Sequence, residues 1–267
     1  MHNPDNAKSL SRLVWQAGDV TSGLDQVAVE IPVAMVYNGI SHAVMMATPS
    51  DLEDFAVGFS VSEGILESPD QLLDCEATRT GKGIELSLTI TEGRFSSLKR
   101  RRRSLIGATG CGICGVESLD QAMQPARQVE SEIQLTHAAL QCALVALGER
   151  QELQKQTGAV HAAAWCDTDG ALLLVREDVG RHNALDKLLG ARFRMLEEVG
   201  PGFGLVTSRA SYEMVFKAVS ANIPLLASVS APTSLAIELA NQCDLTLVAF
   251  TRPGRHVIYA GANRLLE

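Results

Sequence analysis

The order of apolar and polar positions divides the chain into two halves with different periods. From about residue 20 to 48 it reads as strands. "QVAVEIPVAMVYNGISHAV" is dense in valine and isoleucine, and Asn38-Gly39 within it signals a hairpin, because both residues tolerate the positive φ of a two-residue turn. "SDLEDFAVGFSVSEGIL" predicts a helix, with Ser50 and Glu53 spaced as a capping box. A strand "GIELSLTI" follows, then the basic run Lys99 to Arg103, a glycine- and cysteine-rich loop and a polar bridge. A helix of about 15 residues is predicted from Thr136 to Gln151.

From Gly158 the pattern changes. "GAVHAAAWC" and "ALLLVRE" flank "DTDG" as a hairpin of buried strands, and "HNALDKLLG" is a short amphipathic helix. Strand and helix then alternate through "FGLVTS", "SYEMVFKAVSA", "IPLLASVS", "TSLAIELANQ" and "LTLVAF", which indicates parallel strands covered by helices. The expected fold is α/β. We divide the chain into a tail (1–20), a β-rich α+β domain (21–135) ending in the thiol loop (104–118), and an α/β domain (136–267). No internal repeat or low-complexity segment interrupts this order.

Composition narrows the function. The 267 residues suffice for one large domain or two modest ones, and the net charge of −8 argues against nucleic acid or an anionic membrane as partner. No apolar run approaches the roughly 20 residues that span a bilayer. The start "MHNPDNAKSLSRLVW" lacks the basic and apolar regions of a signal peptide, so a cytoplasmic location is expected. With that location and scattered spacing, the six cysteines are read as reduced thiols. Cys142, Cys166 and Cys243 read as small packing hydrophobes. Only Cys111 and Cys114, in "TGCGICGVESL", have chemistry around them.

Unusual polar residues recur just after the C-terminal strands, in "REDVGRHN", "TSRAS", "SVSAPT" and "FTRPGR". Ligands of open α/β sheets bind outside the carboxyl ends of strands, so these four loops should share one rim. That rim carries Arg181, His182, Arg209, Arg252 and Arg255, with hydroxyls at Ser208, Ser211 and Thr251; Lys217 lies two turns into the helix after the second loop. Guanidinium forks beside hydroxyls and helix N-termini suit phosphate or diphosphate. The plainer alternative pairs these arginines with Glu177, Asp178 and Asp186. No Gly-x-Gly-x-x-Gly or Walker loop supports ordinary dinucleotide or nucleoside triphosphate binding. The basic run, in "LKRRRR", is either a solvated face or disordered turn, or an electrostatic lure for an anionic ligand or acidic partner.

The thiol pair admits three chemistries. Structural zinc needs four ligands, and a second knuckle is missing, although His137, a lone cysteine or a second subunit could complete it. A thioredoxin-like pair should follow a strand and open a helix, whereas glycines flank this one on both sides. A sulfur carrier needs an exposed, movable thiol with a depressed pKa and a second thiol to resolve or relay sulfur, and a glycine-rich loop fits that best.

The blocks "GCGICG", "REDVGRHNALDKLLG", "TSRASYEMVFKA", "VSAPTSLAIELA" and "LTLVAFTRPGR" resemble the signatures of the formate dehydrogenase accessory sulfurtransferase family (FdhD). The similarity runs from about residue 25 to the end, in order, and leaves the first 20 residues uncovered. It implies a sulfur carrier that takes persulfide sulfur from a cysteine desulfurase. The sulfur passes to the molybdenum cofactor, in its bis(molybdopterin guanine dinucleotide) form, before insertion into formate dehydrogenase. Cys111 matches the persulfide-bearing cysteine and Cys114 its partner. Phe250, Thr251, Arg252, Pro253, Gly254 and Arg255 match the segment that binds the guanine dinucleotide, for which GDP is a mimic. The resemblance also implies a homodimer and a C-terminal fold similar to the cytidine deaminases, an α/β sandwich. His161 echoes a deaminase His-x-Glu, but Ala163 replaces the glutamate and no Pro-Cys-x-x-Cys follows, so deamination is excluded. The rival from another class is a zinc-stabilised nucleotide-binding module without sulfur transfer.

Overall fold

The computed structural model describes residues 6–107, 127–195 and 199–267. Cys111, Cys114 and the outer part of their loop lie outside the described residues.

The chain opens on an antiparallel arm of β1 (Ala7–Gln16) and β2 (Asp19–Ala28), closed by a tight turn at Ala17 and Gly18, both at positive φ. A strand therefore stands where a tail was expected. Its alternation is of small polar residues with isolated Leu, Val and Trp, too sparse in apolar residues to stand out as a strand.

Behind the arm, β3 (Ile31–Tyr37), β4 (Ile40–Ala47), β5 (Leu72–Thr80) and β6 (Gly83–Ile90) form a sheet in the order β4-β3-β6-β5. Asn38 and Gly39 make the β3–β4 turn with φ of 44° and 78°, as the sequence predicted. Val33, Met35 and Tyr37 alternate on the buried face of β3 and pack with Phe55 and Phe59 of α1 (Leu52–Ser62). The predicted capping box does not form. The residue capping α1 is Asp51, in the left-handed region at φ 52°, and it makes no side-chain cap bond. Glu53 instead pairs with Arg194 at 2.8 Å.

The basic run lies on α2 (Glu92–Gly107) rather than in a turn. Arg94 roots this helix on the end of α1: Nε donates to the Ile65 carbonyl at 2.7 Å, Nη2 to the Gly64 carbonyl at 2.8 Å, and Glu67 pairs with it. Lys99 sits 4.4 Å over the Phe95 ring.

The C-terminal body contains β7 (Leu135–Thr136), α3 (His137–Arg150), α4 (Glu152–Thr157), β8 (His161–Cys166) and β9 (Leu172–Asp178). It continues with α5 (Arg181–Arg194), β10 (Phe203–Val206), α6 (Tyr212–Ser220), β11 (Leu225–Ser228) and α7 (Ser234–Gln242). It ends with β12 (Thr246–Arg252), β13 (Arg255–Ala260) and β14 (Leu265–Leu266). Six strands form one sheet in the order β13-β12-β11-β10-β8-β9. Strands β10, β11 and β12 are parallel, and β8, β9 and β13 run as antiparallel flanks. One face buries Leu185, Leu188 and Met214 under α5, α6 and α7; the other buries Ala164, Leu205 and Leu140 under α3. Val129 joins the first of these cores and its N–H bonds Cys243 at 2.9 Å, so this body takes in residues ahead of 136.

The two bodies meet where α1 crosses α5. A Cβ on Gly58 would lie 1.7 Å from the Asp186 carbonyl oxygen, and one on Gly190 would lie 1.8 Å from that of Asp54. Only glycine admits so close a backbone approach. Buried charge surrounds the crossing. Asp54 receives Arg176 at 2.7 Å and Arg194 at 2.8 Å; Lys187 binds Asp178 at 2.7 Å and the Thr48 carbonyl at 2.9 Å. Lys217 reaches Asp186 at 3.0 Å, Glu63 at 2.7 Å and Ser62 at 2.9 Å.

Candidate functional site

The parallel strands end together, and their loops are laced to one another. Ser228 Oγ donates to the Ser208 carbonyl at 2.6 Å, Ala210 N to Ala231 O at 3.1 Å, Thr233 N to Ala210 O at 3.0 Å, and Phe250 N to Ser230 O at 3.0 Å. The antiparallel flanks bring the start of β8, the end of β9 and the start of β13 to the same edge. Thr207 N donates to Ala162 O at 3.0 Å, and His161 pairs with Asp178 in the β8–β9 register. The four loops singled out in the sequence therefore share one rim.

Two long helices start at this rim without a side-chain cap: α5 after Gly180 and α6 after Ser211. Uncapped N–H groups and the positive end of the helix dipole favour an anion there. Four side-chain polar atoms on the rim loops are buried and make no hydrogen bond with a described residue: Arg181 Nε, His182 Nε2, Ser211 Oγ and Thr251 Oγ1. A buried polar group left without a partner is costly, so these atoms are open to a water or a ligand. None of Arg181, Arg209, Arg252 and Arg255 is ion-paired with a described carboxylate. The acids proposed as their partners are engaged elsewhere: Asp178 with Lys187, Asp186 with Lys217, and Glu177 with the N–H groups of Leu153 and Gln154. Arg209, Arg252 and Arg255 are exposed, and Arg252 Nη1 donates to the Val229 carbonyl at 2.5 Å.

His182 Nε2 stands 2.7 Å from Glu213 Oε2, off the hydrogen-bonding direction. Burial, then the Arg181 charge, hold its pKa below the ordinary histidine value against the pull of Glu213. His161 is lowered by the same two causes. Both imidazoles are held towards the neutral form, which leaves the guanidiniums as the fixed positive charge.

The β12–β13 turn, which carries Pro253 and Gly254, is braced from α3. Gln141 Oε1 accepts from Gly254 N at 2.9 Å and its amide nitrogen meets His256 Nδ1 at 3.1 Å. His137 Nδ1 lies 2.7 Å from His256 Nε2, with the rings stacked 4.9 Å apart. Phe250, half-buried, takes a left-handed backbone at φ 49°, a strained conformation for an aromatic residue. Nothing local in the sequence marks the brace, because its members lie more than a hundred positions apart.

Some expected site residues serve other ends. Lys217 is buried, and its ammonium is taken up by Asp186, Glu63 and Ser62, so it supports the rim from beneath. Ser208 is buried and its hydroxyl donates to the Arg209 carbonyl at 3.1 Å. Within "REDVGRHNALDKLLG", Arg176, Asp178, Asn183, Asp186, Lys187 and Gly190 face the domain junction; only Arg181 and His182 remain for the rim. Asn183 Nδ2 donates to the Met46 carbonyl at 2.7 Å. Of the other thiols, Cys166 and Cys243 are buried as expected, and burial pushes Cys166 up to about 12. Cys142 is exposed instead of packed. Among the described residues no three histidine, cysteine or acidic side chains converge as metal ligands. No described helix is long and apolar enough to cross a membrane.

Comparison with known proteins places the chain among relatives. The chain is 54% identical over 251 residues to a sulfur carrier protein FdhD of Cupriavidus necator, covering 94% of this chain and 87% of that one. It is 52% identical over 241 residues to the protein of that name from Xanthomonas euvesicatoria, covering 90% and 86%. A crystal structure described as a formate dehydrogenase accessory protein from Desulfotalea psychrophila has the same fold, with TM-score 0.77 at 24% identity over 97% of this chain and 99% of that one. The model of the FdhD/NarQ family matches residues 28–266. The chain belongs to the FdhD/NarQ family.

Proposed function

We propose that this protein is a sulfur carrier for the maturation of formate dehydrogenase, with the cationic rim as the seat of the molybdenum cofactor it sulfurates. The observation that carries the reading is the rim itself: four guanidiniums without a described acidic partner, two uncapped helix starts, and three buried polar atoms, Arg181 Nε, Ser211 Oγ and Thr251 Oγ1, without a described partner. Their chemistry matches the diphosphates of a guanine dinucleotide. Arg252 and Arg255 flank the phosphates, Thr251 and Ser211 offer hydroxyls, and the purine stacks on Phe250 or an arginine plane.

Sulfur chemistry falls to Cys111 and Cys114. The Cys111 thiolate attacks the outer sulfur of a persulfide on a cysteine desulfurase, which leaves as its own thiolate, so no net oxidation occurs. Attack by the Cys114 thiolate on the inner sulfur of the Cys111 persulfide then releases hydrosulfide to the cofactor and leaves a 111–114 disulfide, which a dithiol reductant returns to two thiols by exchange, itself becoming the disulfide. The reading includes a homodimer in the cytoplasm.

The decisive experiment incubates the full chain with a desulfurase and cysteine and records its intact mass. A reductant-labile gain of one sulfur, lost in Cys111→Ala, is expected. Failure to gain sulfur, or full formate dehydrogenase activity in a dependent host carrying Cys111→Ala, refutes the carrier role. One zinc per chain, lost on mutating either cysteine, would point to a metal-stabilised nucleotide-binding module instead.

A further inference from the structure

The arm formed by β1 and β2 has an amphipathic character that the fold behind it does not use. Side chains of paired strands alternate between two faces, and the register Leu13↔Ser22, Trp15↔Val20 and Ser11↔Leu24 puts Leu13, Trp15, Val20 and Leu24 on one of them. These four are 76%, 72%, 63% and 68% exposed. No charged residue lies on this face. All four charges of the strands, Lys8, Arg12, Asp19 and Asp25, lie on the other, where Arg12 and Asp25 pair at 3.0 Å. Among the described elements the arm leans mainly on the short α4, and a lone two-stranded hairpin is barely stable in water.

We infer that the uncharged face of the arm docks against the same face of a second copy of this chain. Charge and area both favour a copy over another protein. A chain of net charge −8 repels its own kind, and a face with no charge is where two copies meet at least electrostatic cost. A different partner would have opposite charge to exploit, and this face offers none. The area also suffices. A tryptophan carries roughly 250 Å² and aliphatic side chains somewhat less, so the four offer on the order of 500 Å² per chain. Two copies then bury about 1,000 Å², at the lower bound of specific interfaces. In an isologous contact, Trp15 and Leu13 of each arm cover Leu24 and Val20 of the other. The inference gives the homodimer of the proposed reading a surface, and it is independent of sulfur transfer.

Sedimentation of the full-length chain across a dilution series tests it, alongside Trp15→Glu/Leu24→Glu and, as control on the charged face, Leu10→Glu. Wild type and Leu10→Glu are expected to be dimers that dissociate in the micromolar range. The double variant is expected to dissociate about a hundredfold more readily, with an unchanged melting temperature at dilutions where both proteins are monomeric, because it alters no core residue. Trp15 and the buried Trp165 are the only tryptophans, so emission should shift to longer wavelength on dilution as Trp15 becomes wet. A wild type that stays monomeric overturns both the homodimer and this surface. A dimer that the double variant leaves intact overturns the surface alone. Should that variant misfold, a dilution series of wild type without an emission shift overturns it equally.

Discussion

Replacing Gly58 with alanine puts a methyl group where α1 and α5 touch backbone to backbone. The new Cβ would lie 1.7 Å from the Asp186 carbonyl oxygen. Restoring an ordinary contact of about 3.5 Å requires the helices to part by nearly 2 Å. Neither side can yield cheaply, since both are helix backbone. Parting them also stretches the ion pairs of Asp54 with Arg176 and Arg194, at 2.7 and 2.8 Å, and that of Lys217 with Glu63 at 2.7 Å. Overpacking costs about 1–3 kcal/mol, and loosening buried ion pairs adds to it, up to about 3–5 kcal/mol for one fully broken. Alanine returns about 1 kcal/mol of helix propensity. The net loss is on the order of 3 kcal/mol, or a melting temperature lower by about 6–12 °C. Gly148→Ala is the matched control: Gly148 is exposed on α3 with nothing within 4 Å of an added Cβ. It should be neutral or stabilising by up to about 1 kcal/mol. Differential scanning calorimetry of both variants decides the matter. A Gly58→Ala protein that melts with or above wild type would refute the backbone-contact argument.

Four further outcomes follow from the same geometry. Thr251→Val removes a buried hydroxyl that has no partner, so thermal stability should hold or rise by about 1 kcal/mol, while GDP affinity measured by calorimetry falls; unchanged affinity removes Thr251 from the site. Arg252→Ala or Arg255→Ala should weaken GDP binding in the same titration. Lys217→Met leaves Asp186 buried against Ser62 alone and should cost about 3 kcal/mol in urea unfolding. Burial already raises the Asp186 pKa, and the variant lacks the charge that opposes this, so its deficit should be smaller at pH 5 than at pH 7. His161, His182 and His256 all have folded pKa values below the unfolded value of about 6.5. Their contribution is present above that pH and lost below it, so the melting temperature should fall from pH 7 to 5, and less steeply in His182→Gln.

The rim was legible in the sequence because its signal is local: a buried apolar run followed at once by arginine and hydroxyl residues. Asn38-Gly39, the β8–β9 hairpin and the strand–helix alternation were legible for the same reason. What the sequence concealed is long-range. "REDVGRHNALDKLLG" carries enough charge to look like a ligand loop, yet most of it answers residues 46 to 63 across the junction, as Asn183 does with Met46 and Gly190 with Asp54. Lys217 looked like a phosphate ligand because charge on an amphipathic helix normally faces solvent; here Asp186, 31 positions away, holds it inside. The capping box failed because Asp51 turns left-handed one residue after Ser50. Gln141 and His137 gave no hint, since their target lies on a distant hairpin.

A junction sealed by paired glycines and internal ion pairs leaves the α1 and α5 amides no independent way to open. In deuterium exchange both helices should report a single, slow, global rate, while β1 and β2 lose protection far sooner. Heat or denaturant would therefore take the two sheets apart as one event, and a protease would find the arm long before it found the seam.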